Sequence, residues 1–527
     1  MKTKTQDWQP VAKAEALQKA GRLVVKVDGK QILLLWQDGQ VLACNNRCPH
    51  EGYPLSEGDV SGCVLTCNWH NWKFDLDSGE TLVGGDKLRR YPARIVARQV
   101  ELDLIDPPAE AAIAQALDNI TDCFDRHEYD RIARELARLM KAGGDPLDGL
   151  RRTIARVGDR FEYGATHALP AAADWLSLRG ETQDPVRQLG MLTECIGHFA
   201  WDTRREPVFS YPTTSRAWDE DAYVAAVEAE DEAAACSHVR GAVSDGLTWS
   251  DMERGFARAA LSHYADFGHS AIYTYKMRAL TAALGDRESL LMLCLMLTRS
   301  FIYASREDLI PEFRAYGKAL KAWDGQGSEQ PDSESLRRGS AREILARLSA
   351  GSKDPIALYD AAMTAGAWQL LHFDLDWQDK TDSSIAQSVG WLDFTHTVTF
   401  GNAVRKLAER YPDLWPQGLL QMGCFLGRNS GFTDPDIDEA PWRSNDPLEA
   451  VRQALSGVED YGKFEYIVSS HLLKLSYAIR EEMQEIPETQ FNALAAAALR
   501  RFLASPLKRK HVQRTAYQAL NFVQAEG

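Results

Sequence analysis

The sequence predicts two kinds of structure in one chain: a small antiparallel β domain over residues 1–106, then a large all-α domain with an internal duplication. Three observations carry this. Short Val, Ile and Leu runs separated by Asp-Gly or Asn fill the first hundred residues. Beyond Asp106 apolar residues recur at three- and four-residue spacing. One His-centred motif then occurs twice in the helical part.

The β elements are "GRLVVKVDG", "QILLLWQDG", "QVLACNN" and "ARQVELDLI", punctuated as hairpins require. "DPPAE" at 106–110 ends the domain, because two prolines disfavour both helix and sheet. Helices follow: "DRIARELARLMKAGG" ends in glycines, and "AYVAAVEAEDEAAACSHVRGAV" and "SLLMLCLMLTRSFIYA" each read as one helix. The polar stretch 323–340, "WDGQGSEQPDSESLRRGS", reads as a mobile linker between a first helical half, 107–322, and a second, 341–527.

Bulk properties exclude several functions. A chain of 527 residues is too long for one ordinary core. With 60 Lys and Arg against 75 Asp and Glu, the formal charge is -15, which disfavours nucleic acid and anionic lipid as partners. The N-terminal stretch lacks an apolar signal core, and the longest apolar run, Leu290 to Leu297, stops at eight residues. A cytoplasmic protein without a membrane span is expected. Nine scattered cysteines suggest metal ligation in a reducing compartment rather than a disulfide framework.

The chemistry concentrates in "CPHEGY" (48–53) and "CNWHNWKF" (67–74), which give Cys48-x-His50, sixteen residues, then Cys67-x-x-His70. Two thiolates and two imidazoles suit tetrahedral zinc or an iron–sulfur cluster. The spacing resembles the Rieske signature, and "WHNWKFDLDSGE" and "RRYPARIV" resemble that family's second loop and closing strand. The resemblance implies a [2Fe-2S] cluster with Cys48 and Cys67 on one iron and His50 and His70 on the other. Asn71 stands where the family usually has glycine. Respiratory members carry an inter-loop disulfide and Ser and Tyr hydroxyl donors; at the matching positions, Tyr53, Trp69, Trp72 and Phe74, these devices are missing. A potential toward the lower end of the Rieske range is therefore expected, as in ferredoxin- and oxygenase-type centres. Cys44 and Cys63 read as small buried hydrophobes.

The Asp-x-x-His-x4-His motif that holds mononuclear iron in Rieske oxygenases is not found in residues 107–527. Instead "DFGHSAIYTYKMRAL" from Asp266 and "DFTHTVTFGNAVRKL" from Asp393 share Asp-Phe-x-His, a following aromatic, an Arg and a Leu. On helices, Asp266 with His269 and Asp393 with His396 would each present a carboxylate and an imidazole on one face. That arrangement is similar to carboxylate di-iron bundles, with Asp in place of Glu, and suits one non-haem iron or two. Further ligands are sought among His167, Glu194, His198, His263, His372 and His471. Read blandly, each Asp-x-x-His is an intrahelical pair and each histidine a satisfied core residue.

"ATHALPAAADWL", "GHSAIYTYKMRAL" and "FTHTVTFGNAVRKL" resemble the questin oxidase-like family of helical oxygenases. This implies O2-dependent oxidation of an aromatic or polyketide-like small molecule, with His167, His269 and His396 in the pocket. The expectation is a Rieske oxidoreductase that takes electrons from an external reductase, since no nicotinamide or flavin fingerprint is evident. It would use them at an oxidative metal site in the helices, within one chain or across a homo-oligomer. The alternative is an electron carrier or redox sensor whose helices dock a separate enzyme.

Overall fold

The computed structural model describes residues 7–203, 207–384, 387–459, 465–485 and 490–505, with 514, 517 and 520. The chain divides into two compact units, Met1–Gly149 and Leu150–Gly527.

Among its described residues the first unit holds ten strands: β1 (Trp8–Lys13), β2 (Arg22–Val27), β3 (Lys30–Gln37), β4 (Gln40–Asn45), β5 (Asp59–Ser61), β6 (Val64–Thr66), β7 (Lys73–Asp75), β8 (Thr81–Val83), β9 (Ala93–Val96) and β10 (Gln99–Asp103). They form three antiparallel sheets, β1-β10-β9, β2-β3-β4 and β5-β6-β7-β8. The Asp-Gly turns work as expected: Asp28, Gly29, Asp38 and Gly39 all have positive φ, which makes the tight turns joining β2 to β3 and β3 to β4. β3 is apolar without alternation because both of its faces are buried. Leu33 and Leu35 join a core with Leu65, Phe74 and Leu88, while Ile32 and Leu34 join another with Val100 and Leu102.

The unit does not end at residue 106. Helices Ala109–Arg126 and Tyr129–Lys141 belong to it, because Arg131 and Arg138 reach back to buried Asp86. Amphipathic periodicity identifies a helix but not the domain whose surface it covers.

The second unit is helical, and among its described residues the isolated bridge Phe373–Thr433 is the one β pairing. It does not part into two halves at 323–340. That stretch is pinned: Glu329 N–H donates to Ala350, Lys353 N–H donates to Gly327, and Asp332 caps a short helix, Ser333–Leu336. The segment 222–243 forms two helices, Glu220–Glu228 and Glu232–Ser244, parted by Glu230 at φ 56° and capped anew by Asp231. The helix Arg287–Ile302 lies in a stretch apolar and long enough to cross a membrane, yet 61% of its 18-residue apolar window is buried in the fold.

Four helices position the second site: Ala168–Glu181, His269–Leu284, Trp391–Ala408 and Tyr466–Glu485. Each packs against the next and the last against the first, closing a four-helix ring.

Candidate functional site

The loop after β4 carries Cys48 and His50, and the loop between β6 and β7 carries Cys67 and His70. Both loops fold the same way. Cys48 N–H donates to Tyr53 O (2.9 Å) and Gly52 N–H to Cys48 O (2.8 Å). Cys67 N–H donates to Trp72 O (2.8 Å) and Asn71 N–H to Cys67 O (3.0 Å). The fifth residue of each loop is left-handed, Gly52 at φ 77° and Asn71 at φ 58°. Asparagine is among the few side chains that tolerate this region, so Asn71 preserves the loop.

The cysteines point inward and the histidines outward. Cys67 is 1% exposed, whereas the His70 side chain is 38% exposed. The His50 and His70 rings lie 4.6 Å apart, and Trp72 stacks on His50 at 4.5 Å and 8°. Burial pushes the Cys48 thiol up to about 12, so a bare thiolate there is costly unless a cation accompanies it. Burial lowers the His50 pKa and keeps the ring neutral, and its buried Nδ1 has no hydrogen-bond partner. An inward thiolate pair and an unpartnered imidazole nitrogen are what iron ligation requires. Cys44 is buried in β4 as expected; Cys63 is a half-buried turn residue whose thiol is raised first by its hydrogen bond to Asp77.

Residues 7–90 match the model of the Rieske [2Fe-2S] domain. The ferredoxin component of the naphthalene 1,2-dioxygenase system of Pseudomonas putida is 31% identical over 84 residues, which is 16% of this chain and 81% of that protein. The chain belongs to the Rieske [2Fe-2S] family. The Rieske domain also aligns with the 4beta-methylsterol monooxygenase of Methylococcus capsulatus, 33% identical over 97 residues, 14% of this chain and 26% of that enzyme. Among solved structures, the ferredoxin of carbazole 1,9a-dioxygenase from Nocardioides aromaticivorans is 21% identical, covering 18% of this chain and 96% of that one with a TM-score of 0.18. The Rieske cluster gives the protein an electron-transfer role. Cys48, Cys67, His50 and His70 would hold it, and its imidazole ligands raise its potential above that of an all-cysteine cluster.

Outside the Rieske domain, four buried or nearly buried histidines meet inside the helical ring. His167 Nε2 lies 3.1 Å from His269 Nε2, His269 Nε2 lies 3.0 Å from His396 Nε2, and His396 Nε2 lies 3.4 Å from His471 Nε2. The four ligand atoms fall within 4.8 Å of one another. His269 Nδ1 is 2.5 Å from Asp266 O and His471 Nδ1 is 2.6 Å from Ile467 O. A carbonyl beside Nδ1 places the proton there, which leaves Nε2 a bare acceptor. A cation shared by these nitrogens would engage the lone pairs that the 3.0–3.4 Å contacts bring together. Imidazole nitrogens about 2.0–2.1 Å from one ion sit at about this mutual spacing. Burial holds the His269 pKa down to about 3 and those of His167, His396 and His471 well below the ordinary value, so all four are neutral donors. Lys474, one turn beyond His471, is buried with no partner at Nζ, and burial lowers its pKa to about 7.

The carboxylates expected at this site lie elsewhere. Asp266 turns its carbonyl, not its carboxylate, to His269, and its Oδ1 is 4.0 Å from Nδ1, on the ring's outer side. Asp393 accepts from Gly390 N–H at 2.8 Å and caps its own helix. The two Asp-Phe-x-His motifs therefore differ locally: Asp266, Phe267 and Gly268 are three successive left-handed residues before a helix, while Asp393 lies inside one. His198 stacks on Tyr466 with Nε2 3.4 Å from Asp202, and Glu194 shares its helix without joining the quartet. His263 pairs with Glu228 and His372 with Glu439. Sequence reasoning offered His471 only as one of several further ligands and missed Lys474. "SSHLLKL" marks both on one helix face, but only packing reveals that this face is buried.

Proposed function

We propose that the chain accepts electrons from an external reductase through its Rieske cluster and spends them on O2 at a metal ion held by His167, His269, His396 and His471. The carrying observation is the convergence of four neutral Nε2 atoms on one buried point. Bound iron would supply the O2 chemistry. The protein's part is to hold the Nδ1 protons of His269 and His471 on backbone carbonyls, which fixes those rings and makes their Nε2 atoms more basic. Buried Tyr273, 5.5 Å from His269 and 6.2 Å from His167, helps keep the site dry. The substrate is a small, apolar or aromatic molecule; naphthalene and methylsterol appear in the names of Rieske relatives.

The coverage of nearly whole ferredoxin components supports a second reading, in which the Rieske domain is an electron carrier and the helical unit a docking scaffold. Metal analysis separates them. Iron in excess of acid-labile sulfide, lost in His269→Ala with His396→Ala, supports the oxidative site; iron equal to sulfide in protein assembled with ample iron sinks it.

A further inference from the structure

The Rieske unit contains a device behind its first ligand loop. After β8 the chain runs Gly84-Gly85-Asp86. Gly84, at φ 122°, lies against Trp72, where a Cβ would enter the indole ring. Gly85 lies equally close to the Arg131 guanidinium. Asp86 is buried and accepts from Arg131 Nε at 2.8 Å and Arg138 Nη1 at 3.0 Å. Arg138 also donates through Nη2 to Pro49 O at 3.2 Å, in the residue between Cys48 and His50. Trp72 stacks on His50, and Arg131 Cζ lies 5.9 Å from the Trp72 ring centroid. One indole thus touches both a ligand imidazole and a buried guanidinium.

Nothing in the three sheets demands this arrangement. Two glycines without side chains let a tryptophan and an arginine approach the backbone, and a helix outside the sheets supplies the charge. The reduced cluster carries one more negative charge than the oxidised one, so a nearby desolvated cation favours reduction and a carboxylate opposes it. We propose that Gly84, Gly85, Asp86, Arg131 and Arg138 form a positioning and charge-setting element that fixes His50 through Trp72 and the Pro49 carbonyl and sets the cluster's reduction potential. Glu128, Asp122 and Glu135 also pair with these arginines, so variants are read by the sign of their effect rather than its size.

The test uses full-length protein, redox titration of the cluster and acid-labile sulfide as the measure of cluster content. Arg131→Met and Arg138→Met lower the potential and Asp86→Asn raises it, each by up to about tenfold in the electron-exchange equilibrium, about 59 mV for one electron. Arg131→Lys keeps most of the parent potential. Gly84→Ala displaces Trp72 and alters the histidine nitrogen couplings in pulsed EPR of the reduced cluster. Intact clusters whose potentials stay fixed, or move the same way in the Arg and Asp variants, overturn the charge-setting role. If Arg131→Met loses its cluster, Arg138→Met and Asp86→Asn decide by the same rule. Cluster loss in all three reduces the element to a structural support and overturns the proposal. Unchanged nitrogen couplings in Gly84→Ala overturn the positioning role.

Discussion

His269 Nε2 lies 3.0 Å from His396 Nε2 although 127 residues separate them. The pair is the centre of the quartet, since His167 joins it from one side and His471 from the other.

Removing that pair should uncouple the two units' chemistry. His269→Ala with His396→Ala loses non-cluster iron and O2-dependent oxidation, while the Rieske EPR spectrum is unchanged. Each single variant should lower metal retention at least about tenfold, since losing even an outer-shell partner of a metal ligand costs that much. Parent-like turnover with both imidazoles gone would remove the site from consideration.

The reduced Rieske cluster should give a rhombic EPR signal with an average g below that of all-cysteine clusters. His50→Cys keeps a cluster at lower potential, because a thiolate adds negative charge where an imidazole had none. The parent potential falls as pH rises through the imidazole pKa values of the oxidised cluster, and a potential flat from about pH 6 to 11 would contradict His ligation.

Gly268 is left-handed at φ 75°, and a Cβ there would strike the Phe400 ring. Gly268→Ala therefore combines backbone strain with overpacking and should cost roughly 2–4 kcal/mol. Because His269 follows directly, metal retention should drop along with the melting temperature. Differential scanning fluorimetry with metal analysis checks both.

Lys276 Nζ lies 2.5 Å from Asp174 Oδ1, with both side chains buried. Lys276→Met strands the carboxylate and should destabilise the helical unit by roughly 3–5 kcal/mol. Adding Asp174→Leu should recover most of that loss, as read from the unfolding transition of the helical unit.

Metal-free protein should lose stability on acidification. Burial depresses His198 and His269 from 6.5 to about 3, so below about pH 6.5 the unfolded chain binds protons that the folded chain does not. Stability is full above that pH and falls as pH drops, by about 1.4 kcal/mol per pH unit for each such imidazole. His198→Phe should flatten the slope by one group's share, whereas bound metal, which also keeps the quartet unprotonated, should raise stability without flattening the slope. A melting temperature constant from pH 7 to 5 after chelation would contradict this.

The Rieske domain was legible because its information is local. Asp28-Gly29 and Asp38-Gly39 announce turns, and each Cys-His pair sits within one short loop. The helical site was only half legible. Asp-Phe-x-His pointed to His269 and His396, but the same motif advertised carboxylates that backbone geometry had already engaged, one capping a helix and one turned outward. His471 carries no such flag, since its role arises from which helices close the ring. That the compact unit runs past 106 to Gly149 was not legible, because Arg131 and Arg138 find Asp86 through tertiary contact alone.

The ring of four helices draws its imidazoles from residue 167 through residue 471. On the ribosome, the Rieske ligands emerge within the first seventy residues, whereas the quartet stays incomplete until the Tyr466–Glu485 helix has cleared the exit tunnel. Cluster assembly can thus begin on a nascent chain, while the quartet must wait for the Tyr466–Glu485 helix. A chain truncated before residue 466 would be red with iron–sulfur and yet lack the fourth imidazole of the quartet.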